Sequence, residues 1–254
     1  MAEHLKYIWL LEELVKRDLK IKYRRSILGY LWSILNPLLM MIVLTIVFSN
    51  LFKFDIPNYP LYLLTGQLLF GFFSDATLQS MNSIVTGASL IKKVYLPKYI
   101  FPVSRILSSF VTMIFSLLAL VIVMIVTNSS FYVTLVMLPL ALLYIFIFSM
   151  GAGLILSVLV VYFRDVEYLY NVFLTVFMYM SPIIYPISIV PDWIKNIILL
   201  NPMTSYVDFF RDCVMYGQWP SFQLHCICIT WSLALFFIGI LIFEKKQKEF
   251  VLYI

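Results

Sequence analysis

The chain has 254 residues, of which 63% are apolar or aromatic and only 12% charged, with a formal net charge of +5. A soluble domain is roughly half apolar and about a quarter charged, and its surface-to-volume ratio limits how much apolar area it can hide. The composition excludes an ordinary cytosolic enzyme, a disordered chain and a nucleic-acid reader, and it points to an integral membrane protein.

Residues 1–30 alternate acids and bases well before any apolar run. A secretory signal differs, since its short basic region leads straight into its apolar core. Glu12/Lys16 and Glu13/Arg17 are i,i+4 pairs with the acid first, which favours a helix. Leu5, Ile8, Trp9, Val15 and Leu19 can gather on one face. The segment reads as an amphipathic helix in the inner membrane interface. A solvated basic arm is the alternative, and Trp9 with the apolar stripe argues against it.

A helical span needs about 20 mostly apolar residues to cross roughly 30 Å of hydrocarbon. Six runs meet that need: Leu31–Phe52, Leu61–Met81, Ile106–Thr127, Phe131–Tyr162, Tyr168–Val190 and Phe222–Phe243. The fourth is too long for one straight crossing; Pro139 or the Gly151/Gly153 pair offers a break, or part of it lies outside the bilayer. The expected fold is an all-α membrane protein with six transmembrane helices over 31–243. An interface helix over 1–30 precedes them and a cytoplasmic tail over 244–254 follows. No hydrophilic stretch is long enough for a second domain.

Charge sets the orientation. An even number of spans puts both termini on one side, and that side holds 15 of the 18 Lys and Arg residues. Lys53, Lys195 and Arg211 alone fall opposite. By the positive-inside rule the termini are cytoplasmic.

The loops carry further expectations. The cytoplasmic stretch Asn82–Arg105 turns polar, then basic, then proline-broken around Ile91, Lys92, Lys93, Tyr95 and Pro97. A short helix there either docks on a soluble partner or merely anchors the loop by its charge. On the outer side, prolines 191, 202 and 220 cut the 30 residues before the last span into two pieces, each able to form a short helix. They read as a re-entrant gate or as an ordinary interfacial loop. Asp208 and Arg211 are placed to pair at i,i+3.

Several chemistries are excluded. Gly66 and Gly71 have the spacing of a phosphate loop, but Phe72 and Phe73 stand where Lys and Ser/Thr are required. Any ATP-driven role therefore needs a separate ATPase subunit. His4 and His225 are remote from each other and assemble no catalytic set with Cys213, Cys226 or Cys228. Those thiols read as buried and structural. Asn128-Ser129-Ser130 fits a glycosylation sequon, a weak pattern.

Asp75 is the one carboxylate well inside an expected span, with either a pore-facing or a structural role. Arg105 at a span end reads as snorkelling. Ser149, Gly153 and Ser157 recur every fourth residue, which lets helix backbones approach closely. Phe70, Phe72 and Phe73 in the second span, and Phe173, Phe177, Tyr179 and Tyr185 in the fifth, suit stacking on sugar rings, although aromatics gather at membrane interfaces anyway.

The run Arg17-Asp18-Leu19-Lys20-Ile21-Lys22-Tyr23-Arg24-Arg25-Ser26-Ile27-Leu28-Gly29-Tyr30-Leu31-Trp32, followed by Leu35-Asn36-Pro37, carries a resemblance. So do Leu96-Pro97-Lys98, Phe163-Arg164-Asp165, Ser181-Pro182-Ile183-Ile184-Tyr185 and Asn201-Pro202, in that order. Together they closely resemble the ABC exporter permeases for O-antigen, teichoic acid and capsular polysaccharide, over essentially the whole chain. The resemblance implies a homodimer of six-span subunits with two cytoplasmic ABC ATPase subunits, which bind the ATP and Mg while this chain binds no cofactor. It implies a channel for a polymer on a polyprenyl diphosphate lipid, and no nucleic-acid partner.

Carried over, the N-terminal helix, Ile91, Lys92, Lys93, Tyr95, Arg164 and Asp165 become ATPase-coupling elements. Trp32, Phe70, Phe73, Phe177, Tyr179 and Tyr185 become the sugar path, and Trp193, Asn201, Pro202, Asp208 and Arg211 the outer gate. Lys20, Lys22, Arg24 and Arg25 sit where they attract either the lipid diphosphate or anionic membrane lipids. The expected activity is outward transport of the lipid-linked polysaccharide. Two rivals remain: the permease of a drug or small-lipid exporter, and a polytopic enzyme acting on lipid-linked sugar.

Overall fold

The structure, a computed structural model, describes residues 2–22, 24, 26–52, 56–94 and 96–253. Every regular element among them is helical. In chain order they are α1 (Ala2–Lys22), α2 (Trp32–Phe52), α3 (Tyr59–Met81), the single turns α4 (Ser83–Thr86) and α5 (Ala88–Ile91), α6 (Ile100–Val126), α7 (Leu138–Tyr162), α8 (Val166–Tyr179), α9 (Asp192–Leu200), α10 (Pro202–Arg211), α11 (Phe222–Lys246) and α12 (Phe250–Tyr253).

Among the described residues, five helices are long and apolar enough to cross a membrane: α2, α3, α6, α7 and α11. The run expected as span five is different. Its helix, α8, has 14 residues and reaches only about 21 Å at 1.5 Å per residue. The chain leaves helical geometry at Ser181-Pro182, because the residue before a proline is driven out of the α region. The continuous helix expected over Tyr168–Val190 is therefore replaced by α8, a broken segment and a 3₁₀ turn, Ile187–Ile189. The long fourth run divides at its start. A 3₁₀ turn over Val133–Met137 precedes α7, and Pro139 occupies the first turn of α7, where its missing N–H costs no hydrogen bond. Gly151 and Gly153 lie inside an unbroken helix.

α3 is the hub. It packs on α6, α7, α2 and α10, and nearly its whole length is buried. Its fit depends on small residues in the next layer. A Cβ on Gly153 of α7 would sit 2.6 Å from Ser80 Oγ. On the other flank of α7, a Cβ on Gly151 would lie 2.4 Å from the Leu235 backbone, and one on Gly239 2.6 Å from the Gly151 oxygen. α7 and α11 are thus in backbone contact, so the small-residue stripe serves packing within this chain. By contrast α8 has few neighbours, α2 packs on α3 and α6 alone among the long helices, and both show lipid-like outer faces, with Leu39, Met40, Val43, Ile46, Leu169 and Val172 exposed.

Candidate functional site

The end of the bundle that carries α9 and α10 is organised around a break in the backbone. Between α8 and α9 the chain runs non-helically, and carbonyls at membrane depth must find donors inside the protein. Tyr59 of α3 donates its hydroxyl to the Ile184 oxygen at 2.8 Å. Tyr62, one turn later, donates to the oxygens of Pro182 and Tyr185 at 3.0 and 2.9 Å. Arg211, at the end of α10 and only 2% exposed, supplies the rest. Its guanidinium donates to the oxygens of Pro182 at 2.8 Å, Ile183 at 3.3 Å and Tyr62 at 3.1 Å. Its Cζ also lies 3.4 Å from the centre of the Tyr62 ring, within cation–π range. Four successive carbonyls, 182 to 185, are thereby satisfied.

Gly66 lets this segment come close, since a Cβ there would fall 2.9 Å from Ile183 Cγ2. The glycine that mimicked a phosphate loop is a packing contact. The expected Asp208/Arg211 ion pair is not made among the described residues, because the guanidinium is spent on carbonyls. Asp208 instead faces an outward cavity of about 410 Å3 with Asp212, Tyr216, Ser221 and Gln223. Burial pushes the Asp208 carboxyl up to about 6.

Asn201-Pro202 joins the two short outer helices. The Asn201 side chain accepts from the Met203 amide at 2.9 Å, capping α10, and donates to the Met180 oxygen at 3.1 Å and Ser181 Oγ at 3.0 Å. Pro202 takes the first helical position. The motif therefore ties α10 to the broken end of α8. Trp193 of α9 is exposed.

The aromatics divide into two groups. Phe70 and Phe73 are buried in the subunit's own core, with Phe73 stacking on Phe148 at 5.4 Å and both touching Phe177. They pack α3 against α7 and α8, which corrects the expectation that they face a path. Phe177 is half-buried on that cluster, whose outer edge is the exposed Phe173. Tyr179 and Trp32 are exposed, and half-buried Tyr185 donates to the Tyr179 oxygen at 2.6 Å.

The opposite end, where α1 meets α3 and α6, is built from ions. On α1, the Asp18 carboxylate is buried and takes Arg105 of α6 at 3.2 Å and Arg17 at 3.0 Å. Its second oxygen has no hydrogen-bond partner among the described residues. Lys22 meets Asp75 of α3 at 2.8 Å, and Asp75 also accepts from Ser109 of α6 at 2.8 Å. Arg105 is thus a pairing residue rather than a snorkelling one, and Asp75 joins three helices. Lys20 and Arg24 are exposed beside this cluster; Arg25 lies outside the described residues.

The loop expected to hold one short helix holds two single turns separated by Gly87, where a Cβ would meet the Phe101 ring at 2.8 Å. Ile91 is buried, Lys92 and Lys93 are exposed, and Tyr95 lies outside the described residues. Arg164 and Asp165, also exposed, follow α7 close by: Asn82 donates to Glu167 at 3.1 Å, tying the two loops together. The tail folds back on the same end. Tyr162 donates to Glu249 at 2.7 Å and stacks near Tyr253, holding the Glu249 carboxyl below its usual range.

Sequence reasoning missed the carbonyl cage and the Asp18–Arg105 pair. The first had a signal, since Ser181-Pro182 inside an apolar run demands donors elsewhere. The second had none, because the partners are 87 residues apart. Of the thiols, Cys213 and Cys228 are buried but Cys226 is exposed, because residues two apart on α11 face nearly opposite ways.

The sequence profile of the ABC-2 type transporter family matches residues 10–215. The chain belongs to that family. Relatives of this transporter chain extend over its length. It is 30% identical over 254 residues to an O-antigen export system permease protein RfbA of Klebsiella pneumoniae, covering 98% of this chain and 97% of that one. A Myxococcus xanthus protein of the same description is 28% identical over 252 residues, again covering 98% and 97%. The polysialic acid transport protein KpsM of Escherichia coli is 25% identical over 244 residues, 93% of each chain.

Proposed function

We propose that this ABC-2 chain is the permease subunit of an ATP-driven exporter that moves a polyprenyl-diphosphate-linked polysaccharide, of O-antigen, teichoic acid or capsule type, outward across the bacterial cytoplasmic membrane. The observation that carries the reading is the end-to-end similarity to O-antigen export permeases. The carbonyl cage supports it, because it accounts for the Ser181–Tyr185 motif by holding a broken fifth crossing.

In this reading the whole chain is one transmembrane domain of a homodimer, with six crossings, α8 and the segment after it making the fifth. Both termini are cytoplasmic, in keeping with the placement of 15 of 18 basic residues. Two ABC ATPase subunits bind at the inner face and carry the ATP and Mg; this chain binds neither. Ile91–Tyr95 and Arg164–Asp165 receive their motion, and the hydrogen bond from Asn82 to Glu167 makes the two loops one surface. α1 lies in the inner interface, where its exposed Ile8 and Trp9 meet lipid. Its ion pairs pass displacement to α3 and α6. Lys20, Lys22, Arg24 and Arg25 attract the lipid diphosphate, Lys22 from its pair with Asp75. Trp32, Phe177, Tyr179 and Tyr185 border the sugar path, and α9 and α10 form its outer gate.

Deleting the gene in its host and analysing surface and lipid-linked glycan tests the reading. One surface polymer is lost while its complete lipid-linked form accumulates inside. Unpolymerised precursor would instead indicate an enzyme, and an unchanged glycan profile a drug or small-lipid exporter.

A further inference from the structure

A cavity of about 630 Å3 opens near the ends of α6, α7 and α11, away from the groups assigned above. It follows from the packing. α7 lies against α6 on one flank and is held in backbone contact with α11 on the other, while α6 and α11 scarcely touch. A slot remains between them with α7 as its floor. Its depth is apolar, walled by Val103, Met150, Leu154, Phe236, Ile240 and Phe243.

The mouth is polar. Lys98 and Lys248 stand there with Glu244 and Gln247, which leaves it net positive. Lys98 donates to the Gln247 oxygen and lies 5.8 Å from the centre of the Phe250 ring. The turn before α6 and the tail after α11 therefore hold the mouth as one structure.

A slot so apolar offers water no partners, and a buried water needs two to four. In a bilayer the abundant alternative is an acyl chain. Basic pockets between membrane helices at the cytoplasmic side suit anionic lipid headgroups. We propose that the slot binds one anionic phospholipid, its acyl chain between α6 and α11 and its phosphate at Lys98 and Lys248. The lipid completes the packing that α6 and α11 lack, beside the turn that follows the α4–α5 loop. The inference goes beyond the export reading. It requires that α6, α7 and α11 cross a bilayer, and it uses the proposed orientation only to name the inner leaflet.

The test is native mass spectrometry of the full chain released from nanodiscs of mixed phosphatidylglycerol and phosphatidylethanolamine. Wild type retains phosphatidylglycerol in preference. Lys248→Gln weakens retention about fivefold, as expected for one surface cation. Ile240→Trp, on a half-exposed wall, abolishes it, while Lys195→Gln at the far end changes nothing. Equal retention of both lipids, or retention unchanged in Ile240→Trp, overturns the proposal. A second measurement covers an unstable Trp variant. In lipid-free detergent an Ile240→Cys thiol reacts readily with a small maleimide, and added phosphatidylglycerol shields it. A thiol shielded without lipid would mean that a protein segment fills the slot, and would overturn the proposal equally.

Discussion

The two ends of the subunit hold their helices together by opposite means. At the α10 end, one buried guanidinium makes no ion pair among the described residues and spends most of its donors on backbone carbonyls. At the α1 end, carboxylates and cations pair across α1, α3 and α6, and most of those charges keep some contact with solvent. A carbonyl cage has one geometry and no substitute partner, so it fixes the fold. Ion pairs at a wet surface are individually weak and exchange partners readily. The contrast assigns rigidity to the carbonyl knot and adjustability to the ionic latch.

Arg211→Met should break the rigid side and have the largest effect. It takes the donor from the Ile183 carbonyl and one of two donors from that of Pro182, an unmet buried acceptor costing roughly 1–3 kcal/mol, and it opens space in a packed site. We expect loss of the folded subunit or a large drop in its melting temperature in detergent. A variant as stable as wild type would remove the cage from the argument. Asp18→Asn comes next. It weakens the buried pair between Asp18 and Arg105 of α6, at about 1–3 kcal/mol, and should speed hydrogen exchange along α1 while α3 stays protected. Equal acceleration in both helices would mean that the latch is part of the core.

Smaller effects sharpen the contrast. Lys22→Gln should cost roughly 0–1 kcal/mol, and that cost should shrink with added salt. Replacing Lys20, Lys22, Arg24 and Arg25 together by Gln should impair export and leave assembly intact; normal export would discard the diphosphate role. The last concerns Asp208, whose carboxyl is raised from 3.8 to about 6 by burial. A raised carboxyl favours the fold while protonated, so wild-type stability should fall relative to Asp208→Asn as pH rises from about 4 to 6. A gap between the two proteins that does not change with pH would contradict the burial of that group.

The sequence made the long crossings legible because span length is set by the bilayer and needs no tertiary knowledge. It made the Asn201-Pro202 joint legible as a boundary, since Pro is favoured in the first turn of a helix and costly in its interior. The broken fifth crossing was not legible from hydropathy, because Tyr168–Val190 is apolar whether or not Ser181-Pro182 interrupts it. Nor were the facing directions of Phe70 and Phe73. Both sit on a helix buried on nearly all sides, where no polar stripe marks an inside. The partners of Arg211 are backbone atoms, and composition is silent about those.

The contact between Gly151 and Gly239 has a mechanical corollary. Two helices joined backbone to backbone have no layer of side chains to shear, so α7 and α11 act as a single beam from Phe163 and Lys246 at one end to the far surface. A push applied at that end travels as rigid translation instead of being absorbed by rotamer changes. Compliance is left to α8, which touches few neighbours and can swing against the beam without unpacking it.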